Sequence, residues 1–218
     1  MSDIYGDTHR ALQVKYDTVR LANRIDETVL SAEIAPDQKG FIESRDMFFL
    51  SSIDHRGFPT CSYKGGVPGF VRVLDPKTIA FPNYNGNGMF LSMGNISANS
   101  KVGMLFIDFE TPHRMRVHGL ATIDANDSLL AEFPGAELIV RTTVTEVFIN
   151  CPRYVHKYQR VQTSKYAPKS GYQVPVPQWK RIDTIQDALP AADKIAAEAL
   201  GETITFEEYV AAVAKGEG

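Results

Sequence analysis

The chain has 218 residues, 23 Lys and Arg against 26 Asp and Glu, a formal net charge of -3, and 44% apolar content. That balance is typical of a globular chain and lacks the basic excess of a general nucleic-acid binder. No apolar run approaches the roughly 20 residues that span a bilayer, and the N-terminus lacks a signal-peptide pattern. A cytoplasmic protein with Cys61 and Cys151 both reduced is therefore expected, with no membrane or nucleic-acid partner.

Residues Asp7 to Val29 predict one helix, capped by Asp7 or Thr8, with Leu12, Tyr16, Val19, Ala22 and Ile25 at helical spacing. A short helix is expected from Pro36 to about Arg45, because proline suits a first turn. Met47 to Ile53 and Pro59 to Tyr63 read as a hairpin around Asp54-His55-Arg56-Gly57, and Lys64 to Gly69 as a glycine-bearing loop. Phe70 to Leu74 and Thr78 to Phe81 form a second hairpin around Asp75-Pro76-Lys77.

The stretch from Phe81 to Phe109 carries the most chemistry. Phe81-Pro82 closes an apolar run, and Asn83-Tyr84-Asn85-Gly86-Asn87-Gly88 offers amide side chains and glycines where a backbone can approach a ligand. Helical spacing follows, with Met89, Met93 and Ile96 on one stripe and Ser92 and Asn95 facing elsewhere. Val102 to Phe106 then reads as a strand too continuously apolar for a half-solvated edge. Strand, glycine loop, helix start and strand can hold a phosphate or a flavin edge with backbone N–H groups. Asn85-Gly86 and Asn87-Gly88 would equally make ordinary turns.

Met115 to Ile123 predicts a long strand, and Asp127 to Phe133 a helix. Leu138 to Ile149 predicts a strand with Val140, Thr142, Val144 and Glu146 on one face. After Cys151 the composition turns basic and aromatic, then proline-bearing up to Trp179, and two terminal helices are expected from Ala191 onward. Six or seven antiparallel strands with short turns and flanking helices point to a mainly β fold, a small barrel or sandwich. The expected organisation is one domain: helices over 1–45, a barrel core over 46–150, and an extension over 151–218.

Catalytic motifs such as GxSxG, HExxH, GxxxxGK[ST] and GxGxxG ahead of a helix are absent. No cysteine or histidine spacing calls for a metal; His55, His113 and His118 read as surface or structural groups. Cys151 and His156 could pair as nucleophile and base, but Pro152 more simply starts a helix. Arg114 and Arg116 share one face of a strand, and with Lys64 and Arg181 are the cations most suited to a ligand; a solvated strand face is the equal alternative for the arginine pair.

The hairpin SSIDHRGFPTCSYKGG, the run IAFPNYNGNGMFLSMGNISANSKVGMLFIDF, the strand RMRVHGLATI and the late NCPRYVHKYQ and PVPQWKRID follow one another in order. Together, over roughly Phe41 to Asp183, they resemble the pyridoxamine 5′-phosphate oxidase-like flavoproteins with an FMN-binding split barrel. The resemblance implies an antiparallel split β-barrel, a homodimer, and FMN in a groove between subunits. It implies that Ser62, Tyr63 and Lys64 run along the flavin, and that Phe81, Pro82 and Asn83 meet its ring and ribityl chain. It places the phosphate at the helix over Met89 to Asn95, with Met89, Ser92, Met93 and Asn95 as contacts. Arg114 would touch the ring, and Trp179 and Arg181 would come from the neighbouring subunit.

Two departures accompany the resemblance. The oxidase places an Arg-Lys pair near the start of this helix, whereas here no Lys or Arg lies between Lys77 and Lys101, and Leu91 stands where a cation would be welcome. The oxidase's substrate-binding ending is also replaced by an acidic, alanine-rich helix. The implied activity is flavin hydride transfer to or from a small organic substrate, with Lys64 or Arg114 stabilising reduced flavin. The alternatives are a flavin carrier or sensor without turnover, and a related barrel using haem or a deazaflavin.

Overall fold

The computed structural model describes residues 4–216. These divide into two compact units, one over 4–163 with Pro168–Ser170, the other over Ser164–Ala167 with 171–216.

The first unit is built on one antiparallel sheet of seven strands. These are β1 (Met47–Ile53), β2 (Pro59–Gly65), β3 (Arg72–Asp75), β4 (Thr78–Tyr84), β5 (Lys101–Asp108), β6 (His113–Asp124) and β7 (Ala136–Asn150). Their order is β2-β1-β5-β6-β7-β4-β3. β1 and β4 are separated by three strands in that order, yet the rings of Phe48 and Phe81 meet edge to face at 5.0 Å. The sheet is therefore curled on itself, a split barrel with flanking helices. Phe48 also stacks on Phe106 at 5.1 Å, and Leu50, Ile79, Met104, Met115, Val117 and Val140 complete a closed apolar interior.

The hairpin of β1 and β2 is set by Asp54. Its carboxylate accepts the backbone N–H groups of Arg56 and Phe58, each at 2.9 Å, and pairs with the Arg56 guanidinium. Gly57, at φ +86°, supplies the left-handed turn residue that other side chains resist. The resulting register sets Ser52 opposite Thr60 and Leu50 opposite Ser62.

On β7, Val140, Thr142 and Val144 face inward as expected, but Glu146 does not continue the series. His118 pairs with Glu146 and Gly119 with Val144, so Thr145 is an extra residue and the inward parity passes to Val147. A bulge of this kind flips every later side chain. Gly119 is required beside it, because a Cβ there would lie 2.5 Å from the Thr143 carbonyl. β5 also differs from expectation. Its burial alternates along the strand, since one face lines the barrel and the other lies outside it.

The helix expected from Asp7 to Val29 is two helices, α1 (Asp7–Lys15) and α2 (Val19–Thr28). Asp17 sits at φ +52° between them, and α1 begins after Gly6 rather than after Asp7 or Thr8. Leu12, Tyr16 and Ile25 remain exposed, so no core face holds one long helix together. α3 (Pro36–Glu43) forms as expected, with Gln38 accepting the Ala35 N–H at 2.9 Å. The region predicted as a helix over Asp127 to Phe133 is a 3-10 turn, Ser128–Glu132, started by Asp127, which also pairs with Arg141. Between β5 and the preceding loop lies α4 (Leu91–Ala98). No helix starts at Pro152, and residues 151–163 run without a regular element; both cysteines are free and exposed.

The second unit carries 3-10 turns at Gln178–Arg181 and Asp183–Ile185, then α5 (Ala191–Glu198) and α6 (Phe206–Ala214). Lys180 is 4% exposed and pairs with Asp193 at 2.6 Å. Ile182 and Ile204 bridge in parallel. Among the described residues no helix is long and apolar enough to cross a membrane.

Candidate functional site

β1 alternates inward apolar residues until Ser52, where the inward position becomes polar. Ser52 Oγ and Thr60 Oγ1 lie 2.9 Å apart, and Asn95 Nδ2 donates to both, at 3.1 and 3.2 Å. Asn95, expected to face away from its apolar stripe, is buried, and its amide ties α4 to the hairpin. Met93 and Ile96 fix the same helix from its apolar side. Met89 lies outside the helix and is exposed, so it does not belong to that stripe.

A second tie lies at the first turn of α4. Ser92 is buried and its Oγ is 3.0 Å from Ser62 Oγ on β2. Their mutual bond uses one hydroxyl hydrogen and leaves the other as a donor. Ser62 and Lys64 share a face of β2 by strand period. Burial lowers the Lys64 pKa below the usual lysine value. Gly66 follows closely, and a Cβ there would collide with Phe70 at 2.5 Å.

The start of α4 is unusual. Phe90 at its N-cap is left-handed, at φ 48° and ψ 27°, and no side chain caps the helix. The Met89 N–H goes instead to Asn87 Oδ1 at 3.1 Å. Uncapped N–H groups at a helix start carry partial positive charge and favour an anion. The approach is apolar and open: Met89, Phe90 and Leu91 are 67%, 53% and 47% exposed.

The remaining expected site residues are distributed as follows. Tyr63 points to the outer face of β2, its ring edge-on to Phe49 at 6.1 Å; burial first, then the Asp46 charge, raises its pKa. Phe81, Pro82 and Met93 are buried, and the Phe81 and Met93 side chains belong to the barrel core. Asn83 is half-buried and donates to the Tyr84 backbone carbonyl at 3.3 Å; burial pushes the Tyr84 hydroxyl up to about 12. Arg114 lies on the outer face of β6. Trp179 is half-buried in the second unit. Arg181 in that unit donates from Nε and Nη2 to the Glu202 carbonyl, at 2.9 and 2.5 Å, and from Nη1 to Gln178. The Ser52–Thr60–Asn95 network and the left-handed Phe90 were not expected. Ser52 had a signal, a polar residue at an inward strand position; Phe90 had none.

Among the described residues no group of three or more His, Cys, Asp and Glu side chains gathers to hold a metal ion. A bent sheet, a small-residue junction and an uncapped helix start, with a half-buried lysine on the Ser62 face of β2, define a β-barrel class with donors suited to an anion.

The family model for pyridoxamine 5′-phosphate oxidase matches residues 34–159. The chain belongs to the pyridoxamine 5′-phosphate oxidase family, a flavin-binding, oxidoreductase-type family of split barrels. No curated protein matches the chain. Among solved structures, a putative pyridoxamine 5′-phosphate oxidase from Lactobacillus delbrueckii is 22% identical, covering 54% of this chain and 95% of that one, with a TM-score of 0.45. HupZ from Group A Streptococcus is 18% identical, covering 58% and 99%, with a TM-score of 0.44. An FMN-binding protein from Syntrophomonas wolfei is 11% identical, covering 65% and 97%, with a TM-score of 0.40.

Proposed function

We propose that this chain is an FMN-dependent oxidoreductase acting on a small organic molecule, and that it works as a homodimer. The observation that carries the reading is the Ser62–Ser92 junction, which sets the Lys64 face of β2 against the uncapped start of α4. Ser92, the α4 N–H groups and Lys64 would together hold the phosphate, with Lys64 standing in for the cations missing around Leu91. Asn95 positions this group through Ser52 and Thr60 rather than by touching the ligand. Asn83, Tyr63 and Arg114 are the proposed contacts of the ring and ribityl chain.

When bound, the flavin supplies two-electron chemistry, and the chain contributes orientation and charge. A cation beside the ring stabilises its anionic reduced form through Coulomb attraction. Dimerisation is supported by the exposed apolar run Met89 to Leu91, which a second subunit would cover.

The test is the absorption spectrum of freshly purified protein, with identification of the flavin released on denaturation and the mass under native conditions. Bound FMN and a dimer are expected. A Soret band, or a deazaflavin in place of FMN, contradicts the cofactor reading. Stopped-flow bleaching by NADH or NADPH is expected of an oxidoreductase, and its absence with every donor tried marks a carrier.

A further inference from the structure

Charge in the last third of the chain is sharply divided. Between Glu146 and Asp183 there are seven Lys and Arg and no acidic residue, whereas 183–218 holds eight Asp and Glu against two Lys. The basic stretch includes the irregular segment 151–163, and the acidic one includes α6. Both leave apolar side chains exposed.

Segment 151–163 has a fixed path although it forms no regular element. The Val155 N–H donates to the Pro152 carbonyl at 2.8 Å, and the Tyr158 N–H to the Phe109 carbonyl at 3.0 Å. The Tyr158 ring stands edge-on to Phe109 at 5.5 Å, and the Arg160 guanidinium pairs with Asp46. These ties leave Tyr154 and Val161 80% and 96% exposed. Arg153 and Lys157 are exposed as well, and neither forms an ion pair among the described residues.

α6 offers the complement. Reciprocal bonds between Thr205 and Glu208 fix its start, yet none of its nine residues is buried. Phe206, Val210 and Val213 recur at helical spacing as an exposed apolar stripe, while Tyr209 and Ala212 turn elsewhere and are half-buried. Glu207 and Glu208 form no ion pair among the described residues. A helix this short gains most of its stability in water from packing of its apolar face. An acidic helix with an apolar stripe matches a basic segment with exposed Tyr and Val in both charge and polarity.

We propose that α6 of one copy docks on residues 153–161 of a second copy, its stripe against Tyr154 and Val161 and its carboxylates against Arg153 and Lys157. Under twofold symmetry each copy gives one helix and one segment, so the contact occurs twice. The proposal takes its second copy from the homodimer reading but needs no flavin, and α6 lies beyond residues 34–159, which match the family.

The experiment mixes full-length protein with an isotope-labelled preparation until native mass shows mixed dimers. A zero-length carbodiimide, which couples an amine to a carboxylate, is then added. Light–heavy peptide pairs joining Lys157 to Glu207 or Glu208 are expected, and high salt should reduce them. Lys157→Glu and Glu207→Lys should each raise the dimer dissociation constant about threefold or more, as measured by dilution. Mixing these two variants should restore it to within about twofold, because the reversed charges then meet across the copies.

A dimer without light–heavy pairs overturns this contact and leaves the homodimer reading standing. Pairs confined to light–light and heavy–heavy chains assign α6 to its own copy and also overturn it. So does a loss in the single variants that mixing fails to restore. A monomer at every concentration overturns both readings.

Discussion

The two faces of β6 are made from one run of residues and have opposite chemistry. Met115 and Val117 turn inward and are sealed in the barrel with Phe48, Phe81 and Phe106. Arg114 and Arg116 turn outward, half-buried and without a counter-ion among the described residues. The inner face is complete as it stands, whereas the outer face leaves charge unbalanced. Packing accounts for the inner set, whereas the outer set stays partly open to solvent.

The largest expected effect sharpens that contrast. Phe48→Ala should destabilise the protein by about 3–5 kcal/mol, because a large ring leaves a cavity among Phe70, Phe81 and Phe106. Arg116→Gln should move stability by no more than about 0.5 kcal/mol, as an outer-face change. Urea unfolding of both variants checks this, and similar losses would erase the distinction between the faces.

Next in size is the charge effect at the proposed flavin ring. Arg114→Gln keeps reach and hydrogen-bonding ability but removes a cation worth about 1–4 kcal/mol at close range in a partly shielded site. With about 30 mV per 1.4 kcal/mol for a two-electron couple, the reduction potential should fall by tens of millivolts. Spectroelectrochemical titration of bound flavin measures it. An unchanged potential with flavin still bound moves the charge role to Lys64.

A smaller effect concerns pH. Hydrogen bonding from Arg141 holds the Asp127 carboxyl below its ordinary pKa. At Asp108, burial opposes ionisation, but the Thr111 N–H and Arg45 outweigh it and the pKa is again lowered. A depressed folded pKa gives stability that is fully present above the unfolded value near 4 and lost as pH falls through the folded one. Urea midpoints should therefore hold from neutral pH down to about 5 and drop below 4. Asp127→Asn should flatten the acid limb, and an unaltered limb would remove Asp127 from the account.

Much of this organisation was legible in the amino-acid order, and the reasons differ by region. β1 follows from an alternating apolar run, and the hairpin from Asp54 and Gly57, which act on their immediate neighbours. The inward slip at Thr145 was not legible, because a bulge is set by the partner strand and by the close approach at Gly119. The long N-terminal helix failed for a related reason: spacing promised an apolar stripe, but no surface covers Leu12, Tyr16 and Ile25. At the site, Ser62 and Ser92 could be named separately, yet their meeting depends on how α4 docks across the hairpin. Asn95 was named through the resemblance alone; its amide donates to Ser52 and Thr60, partners that depend on how α4 docks.

The central claim is that the β2–α4 junction holds a flavin through its phosphate. Parallel titration of flavin-free protein with FMN and riboflavin tests it most directly, since the two ligands differ only by that group. The account predicts that wild type prefers FMN strongly. Ser92→Ala should weaken FMN binding by about 1–2 kcal/mol, the loss of one hydrogen bond to a charged group, and leave riboflavin binding unchanged. Equal affinity for the two flavins in wild type, or equal losses for both in Ser92→Ala, would contradict it.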